Sequence, residues 1–331
     1  MKKKKALVKI LDLKKWFDLR ESFLETIKSK RRYLKAVDGI TFDIVEGEIF
    51  GLVGESGCGK TTTGRLIMNL LKPTSGKVYF DDIDLFNIND RTALKNLYSK
   101  MQMIFQDPYD HLSPWLSVKG ALSEPIKIHN IAKDKDEELQ MIKEVMETVD
   151  LTPVDMLLPK YPYELSGGQR QRVVIARALL LNPKFIVADE PVSMLDVSIR
   201  VGVLNLLLEL KEKYSLTSLF ITHDIAVARY MSDKMGVMYL GKMMERGPTE
   251  NIIQQPLHPY TQALIKAVPV PDPKIKSEKP SILGRIQTAV DLPPGCRFRP
   301  RCPFAGEKCI NEEPELIEVD KDHFVACHLV Y

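Results

Sequence analysis

The stretch Gly54-Glu55-Ser56-Gly57-Cys58-Gly59-Lys60-Thr61 fits the pattern G-x-x-x-x-G-K-[ST] and lies between an apolar run, Ile49–Val53, and a helix-period stretch, 61–71. A buried strand, a glycine-rich turn and a helix in that order commit the chain to an α/β architecture with a mostly parallel sheet. The residue types state the chemistry. Glycines let backbone N–H groups converge as an anion nest at a helix start, Lys60 neutralises phosphate oxygens, and the Thr61 hydroxyl is a ligand for Mg²⁺. Gly54 through Thr62 are the candidate phosphate-binding residues, with Cys58 read as a small loop residue because nothing around it supplies a base.

The rest of the chain continues the alternation. Phe185-Ile-Val-Ala188 and Ser218–Thr222 read as buried strands, Ile40–Ile44 and Lys77–Phe80 as alternating ones, and Val197–Tyr214 as an amphipathic helix. Residues 107–165 have little strand character, and Asp136–Val149 has helical spacing, which places a helical insertion there. At 331 residues the chain exceeds the size at which single cores stop growing, so a large domain with a small appended one is expected. The division falls at 254/255, and the Pro-rich stretch 268–281 reads as a stiff linker.

Two further elements point at phosphate. Asp189 and Glu190 end the strand that begins at Phe185, where a carboxylate can hold the water shell of Mg²⁺ (Asp189) and another can orient and deprotonate water (Glu190). His223 ends the next strand, in position to hydrogen-bond a γ-phosphate. Leu165-Ser166-Gly167-Gly168-Gln169 opens a helix and forms a second anion-friendly N-terminus.

In this order, the phosphate loop, Gln106, the LSGGQ stretch, the acid pair, Ser193-Met-Leu-Asp196 and His223 resemble the ATP-binding cassette (ABC) ATPases. The resemblance implies a P-loop nucleotide-binding domain with a RecA-like core, an antiparallel β subdomain and a helical subdomain, using ATP and Mg²⁺. It also implies a dimer in which Ser166, Gly167, Gly168 and Gln169 close over ATP held by the opposite subunit. Gln106 would sense the γ-phosphate and Mg²⁺, Asp196 would lie at the dimer interface, and Tyr33 is the best placed aromatic to stack on adenine.

Longer phrases narrow the likeness. Leu34–Ile40, Phe105–Tyr109, Tyr161–Gln169 and Leu257–Leu264 are similar to the peptide/nickel importer ATPases, and Thr61–Arg65 to the second, F-type, ATPase of oligopeptide and dipeptide systems. That implies ATP-driven import of di- or oligopeptides, with nickel or another small solute as an open alternative and a soluble ABC ATPase, as in iron–sulfur assembly, as a more distant one. The partners implied are a second related ATPase in a heterodimer, a homodimer being the other option, two membrane permeases and an extracytoplasmic binding protein. The place implied is the cytoplasmic face of the membrane. Trp115 stands where relatives often carry a basic residue, in the segment that meets the membrane partner.

Charge agrees with this. The net charge is +3, with 13 Lys or Arg against four acids in residues 1–35, which leaves the remainder acidic and argues against a nucleic-acid binder. The opening Lys run is followed by too short an apolar stretch for a signal peptide, and no stretch approaches 18 apolar residues, so a cytoplasmic chain is expected.

Four of five cysteines, Cys296, Cys302, Cys309 and Cys327, fall in the last 36 residues, interleaved with Arg297, Arg299 and Arg301. Reducing cytoplasm disfavours disulfides. The gaps are wide for a zinc ribbon, although His323 or His328 could join as a ligand. Nearby cationic side chains suit an anionic [4Fe–4S] cluster, which the family resemblance also supports, with Zn²⁺ as the alternative.

Overall fold

The structure, a computed structural model, describes residues 5–19, 32–268 and 288–330. The opening Lys run up to Lys4, part of the basic segment before Tyr33 and nearly all of the Pro-rich linker lie outside the described residues. The strands are β1 (Ala6–Asp18), β2 (Tyr33–Val45), β3 (Ile49–Val53), β4 (Ser75–Phe80), β5 (Ile83–Asp84), β6 (Met101–Ile104), β7 (Phe185–Asp189), β8 (Thr217–Thr222), β9 (Lys234–Tyr239), β10 (Lys242–Pro248), β11 (Ile317–Asp320) and β12 (His323–Val325). The helices are α1 (Lys60–Ile67), α2 (Arg91–Lys100), α3 (Pro108–His111), α4 (Val118–His129), α5 (Lys135–Thr148), α6 (Val154–Leu157), α7 (Gly167–Leu179), α8 (Val197–Tyr214), α9 (Ile225–Met231), α10 (Thr249–Gln254), α11 (Pro259–Lys266) and α12 (Lys308–Asn311). The chain forms two compact units, residues 1–86 with 220–331, and residues 87–219.

The first unit holds an antiparallel sheet in the order β2-β1-β4-β5. Ile40, Phe42 and Ile44 of β2 are buried and alternate with exposed Thr41 and Asp43, which is the alternation seen in the sequence; the strand also continues back through Ala36, Val37 and Asp38, which are buried consecutively. β1 is not legible there, because Asp12, at φ 44, sits where the register against β2 shifts between Ile10 and Leu13, so the period-2 pattern is broken. The same unit carries strands in the order β11-β12-β10-β9-β3. β3 runs parallel to β9, with Val53 beside Val237. β9 and β10 form a hairpin whose two-residue turn, Leu240-Gly241, has φ of 43° and 82°. The turn is tied down: the Gly241 N–H donates to Cys58 O at 2.9 Å, and Gly241 O accepts from the Asp38 N–H at 2.9 Å.

The residues beyond 255 pack into this unit's core. Tyr260 and Phe298 are buried beside Tyr239, with ring centroids 4.9–5.4 Å apart. Full burial of a ring such as Phe298 contributes about 1.5–3 kcal/mol. Ala289 O accepts from the Lys35 N–H at 2.9 Å and so extends the edge of β2.

In the second unit β6 and β7 pair in parallel, Ile104 beside Ala188. Between them the described residues form helices and no strand, as the sequence indicates. α5 starts at Asp134, whose carboxylate accepts from the Asp136 and Glu137 N–H groups, and acids in its first turn complement the helix dipole. α7 is buried along most of its length, including Arg170 and Gln171, and packs against α3, α4, α5 and α8. α8 spans the stretch given by its periodicity and begins at Asp196, which accepts from the Ile199 N–H at 3.0 Å.

Candidate functional site

In the first unit every residue of β3 is buried, and the strand delivers the chain into the glycine-rich loop. Gly59, at φ 108, caps α1; a Cβ there would lie 2.1 Å from Ala36 O, so only glycine closes the loop this tightly. Gly54 is as constrained, a Cβ falling 2.2 Å from Met238 O. Lys60 is 5% exposed, and its Nζ donates to Gly54 O at 2.7 Å and Glu55 O at 3.0 Å. The ammonium is thus curled over the loop's own carbonyls. Thr61 and Thr62 follow in the first turn of α1, half-buried, while Ser56 and Gly57 are exposed. Cys58 is buried, and burial pushes its thiol up against the opposing pull of Lys60, which suits the reading of an inert loop residue.

Glu55 has a role the sequence did not reveal. Its backbone N–H donates to Tyr260 Oη at 3.0 Å, and its carboxylate makes a two-armed ion pair with Arg301, at 2.7 and 2.9 Å. His223 is exposed at the end of β8, followed by Asp224, which caps α9. Tyr33 opens β2, half-buried, its ring 6.1 Å from that of Trp16.

In the second unit the parallel pair explains how two residues far apart in sequence meet. Gln106 and Glu190 each lie two positions beyond the paired Ile104 and Ala188, and Gln106 Nε2 donates to Glu190 Oε2 at 3.2 Å. Asp189 is 3% exposed at the end of β7. Glu190 has φ 47, a left-handed conformation that costs a non-glycine residue about 1–3 kcal/mol and is typical of functional positions. Its carbonyl is held by Ser193, whose N–H and hydroxyl donate at 3.2 and 3.0 Å. The sequence signal for this cap was Ser193 itself.

The signature stretch forms a reciprocal cap: Ser166 Oγ accepts from the Gln169 N–H at 3.2 Å, and Gln169 Oε1 from the Ser166 N–H at 3.0 Å. Gly168 is needed against α8, since a Cβ would lie 2.5 Å from Ile199 Cγ2. Asp196 is exposed, its carboxyl held below the ordinary value by the Ile199 N–H and the Ser198 hydroxyl. Trp115 is 86% exposed and Tyr109 lies under the Arg170 guanidinium at 3.8 Å, so neither serves as core packing for the helical region.

The four C-terminal cysteines gather without forming a ligand set. Cys296 N–H donates to Cys309 O at 2.9 Å, and burial together with the neighbouring Cys309 and Cys327 pushes the Cys296 thiol to about 11. All are free thiols, and among the described residues no group of three or more His, Cys, Asp or Glu side chains is arranged to hold a metal ion. The interleaved arginines also differ from expectation. Arg297 is buried on Asp38 and Leu240 O, Arg301 on Glu55, and Arg299 donates to Pro294 O and Ile310 O, so their charges answer carboxylates and carbonyls instead of thiolates. His323 bonds to buried Glu245 at 2.8 Å and His328 to Glu312 O at 3.0 Å. The structure therefore gives neither an iron–sulfur cluster nor zinc any support.

Comparison with known proteins adds the following. The family model described as ABC transporter matches residues 37–193, and the one described as Oligopeptide/dipeptide transporter, C-terminal region, matches residues 244–309. The putative oligopeptide transport ATP-binding protein YkfD of Bacillus subtilis (strain 168) is 46% identical over 325 residues, covering 98% of this chain and 95% of that protein. The oligopeptide transport ATP-binding protein OppF of Salmonella typhimurium is 42% identical over 329 residues, covering 99% and 97%. A dimeric structure of the ATP-binding cassette MJ0796 in a post-hydrolysis state bound to ADP and Pi superposes with a TM-score of 0.64 at 30% identity, over 73% of this chain and 98% of that one.

Proposed function

The chain belongs to the ABC-transporter ATP-binding proteins of the oligopeptide/dipeptide type, and on that premise we propose that its ATP hydrolysis powers the import of di- and oligopeptides. It is an ATPase, and as the ATP-binding subunit of a peptide importer it acts at the cytoplasmic face of the membrane. No helix among the described residues is long and apolar enough to cross a membrane. In this reading, which the likeness to oligopeptide transport ATP-binding proteins supports, partner permeases carry the peptide. An extracytoplasmic binding protein would deliver the peptide to them. A related second ATPase completing a heterodimer is the arrangement we favour, with Ser166, Gly167, Gly168 and Gln169 facing the partner's nucleotide. We also keep 254/255 as the division between the cassette and its C-terminal extension.

The observation that carries the catalytic assignment is the hydrogen bond from Gln106 to Glu190, the two groups that must act on one water. The amides of Gly57 to Thr62 and the Lys60 ammonium bind the β- and γ-phosphates. Glu190 takes a proton from water as its oxygen attacks the γ-phosphorus, and the bond to the ADP oxygen breaks; Gln106 and His223 orient the water and the γ-phosphate. Buried Asp189 and the Thr61 hydroxyl are hard oxygen donors that fit Mg²⁺, which when bound would offset the charge of the phosphates. The four thiols as placed do not fit a metal centre, and no step passes through one. Iron and zinc analysis of anaerobically purified protein, with visible absorption compared between wild type and Cys302→Ser, decides among cluster, zinc and free thiols.

In transporter reconstituted with its permeases and binding protein, Glu190→Gln lowers peptide-stimulated ATP hydrolysis by about 10²–10⁴-fold while ATP still binds. Turnover near wild type would sink the assignment of the base, and stimulation by nickel but not by peptides would replace the substrate.

A further inference from the structure

We infer that Arg301 and Tyr260 are positioning residues of the phosphate-binding loop, through which the C-terminal extension sets the loop's affinity for nucleotide. The inference rests on the proposal that this loop binds ATP. Its substance is that a residue within the loop is held from outside at both of its polar ends. The Glu55 N–H is received by the Tyr260 hydroxyl at 3.0 Å, and the Glu55 carboxylate by both arms of the Arg301 guanidinium. The ion pair is well shielded, with side chains 8% and 18% exposed, and a two-armed pair fixes direction as well as distance.

Each support is itself immobilised. Tyr260 is fully buried in the second position of α11, whose start is held by Glu245, which accepts from the Leu257 and His258 N–H groups at 2.9 and 3.0 Å. His258 Nδ1 in turn accepts from the Tyr260 N–H at 3.0 Å. Arg301 ends a short turn, Arg299–Arg301, that runs between Cys296 and Cys302 and is closed by Arg299 N–H to Cys296 O at 3.1 Å. Its guanidinium lies 5.6 Å from the Tyr239 ring, in the aromatic group that also contains Phe298. The held residue matters because Glu55 O is one of two carbonyls that receive the Lys60 ammonium. Rotation of Glu55 would redirect that carbonyl, and with it the cation that must meet the phosphates.

The test uses the full-length chain and compares wild type, Glu55→Gln, Arg301→Gln, the double variant Glu55→Gln/Arg301→Gln, Tyr260→Phe, and Lys60→Ala as a control. Kd for Mg-ATP is read by equilibrium titration, KM and kcat by hydrolysis, and folding by thermal melting. Arg301→Gln is expected to raise Kd and KM about ten-fold, the scale of a lost charged hydrogen-bond pair, while kcat stays within about two-fold. The double variant should bind no more weakly than either single one, because all three lose the same contact. Tyr260→Phe keeps the packed ring and removes only the hydroxyl, and a roughly three-fold rise in Kd is expected; it also serves if Arg301→Gln folds poorly. A lower melting temperature with Kd unchanged in both Arg301→Gln and Tyr260→Phe would overturn the inference and make these residues structural only. If Lys60→Ala alone abolishes ATP binding in that case, the nucleotide site stands without the inference. If wild type binds no ATP, both fall.

Discussion

Replacing Arg297 by Met should unfold the first unit about 10 °C earlier and reverse its response to pH. Arg297 and Asp38 form an ion pair whose side chains are only 6% and 7% exposed, and Arg297 also donates to Leu240 O. Breaking a buried pair from one side strands the other charge and costs about 3–5 kcal/mol. At roughly 2–4 °C per kcal/mol for a unit of this size, the melting temperature drops by about 10 °C. In the wild type, burial would raise the Asp38 carboxyl, but the Arg297 charge and hydrogen bond, with Trp16 Nε1, outweigh it and hold the group below its ordinary value of 3.8. That stability is present above 3.8 and is lost as pH falls through the lower folded value. Without Arg297, burial dominates against only Trp16 and the more distant Lys35, so Asp38 moves upward and the variant loses stability as pH rises past 3.8. The gap between the two proteins therefore widens between pH 4 and pH 7. Circular-dichroism melts of wild type, Arg297→Met, Asp38→Asn and the double variant across that range are the assay. The double variant should recover part of the loss, since no charge is left stranded. A single Arg297→Met variant melting within about 2 °C of wild type at pH 7, or a gap that does not change with pH, would refute the reasoning.

Two other outcomes follow from positions on either side of β3 in the sequence. Burial, opposed by Lys234, pushes the Glu48 carboxyl up to about 7, and one of its oxygens has no hydrogen-bond partner. An acid raised in the folded state costs stability as pH climbs from its ordinary 4.5 to about 7, so Glu48→Gln should stabilise the protein above pH 7 by about 3 kcal/mol and have little effect at pH 4; denaturant titrations at the two pH values check this, and an equal effect at both would contradict it. Gly59→Ala, with its Cβ 2.1 Å from Ala36 O at φ 108, should distort the loop and weaken ATP binding at least ten-fold by nucleotide titration, and wild-type affinity would mean the loop is less tightly constrained than its geometry implies.

Local signals carried far in this chain. The strand before the loop and the acid-ended strand at Phe185 were readable as short continuous apolar runs, every residue of which is buried, and the long helix at Val197 as a helix-period stretch bounded by its own caps, Asp196 and Ser215. Gln106 and Glu190 were singled out by motif, and the parallel register supplies the reason they touch. What could not be read is pairing over long separations. Glu55 and Arg301 are 246 positions apart and Asp38 and Arg297 are 259 apart, and a charge in sequence carries no mark of which opposite charge it will meet. For that reason the arginines between the cysteines looked like counter-ions for a cluster. β1 escaped for a different reason, since its bulge at Asp12 hides the alternation of Val8, Ile10 and Leu13.

The turn at Leu240-Gly241 has a practical consequence. By length it is the kind of surface hairpin that usually accepts a peptide tag, a circular-permutation break or a label. Here its backbone is bonded to Cys58 in the phosphate loop and to Asp38 in β2, and Arg297 reaches Leu240 O from the C-terminal region. Three segments distant in sequence share those two residues as a common anchor. An insertion there would cut all three ties at once, so relatives that vary freely in their loops should keep this one at two residues.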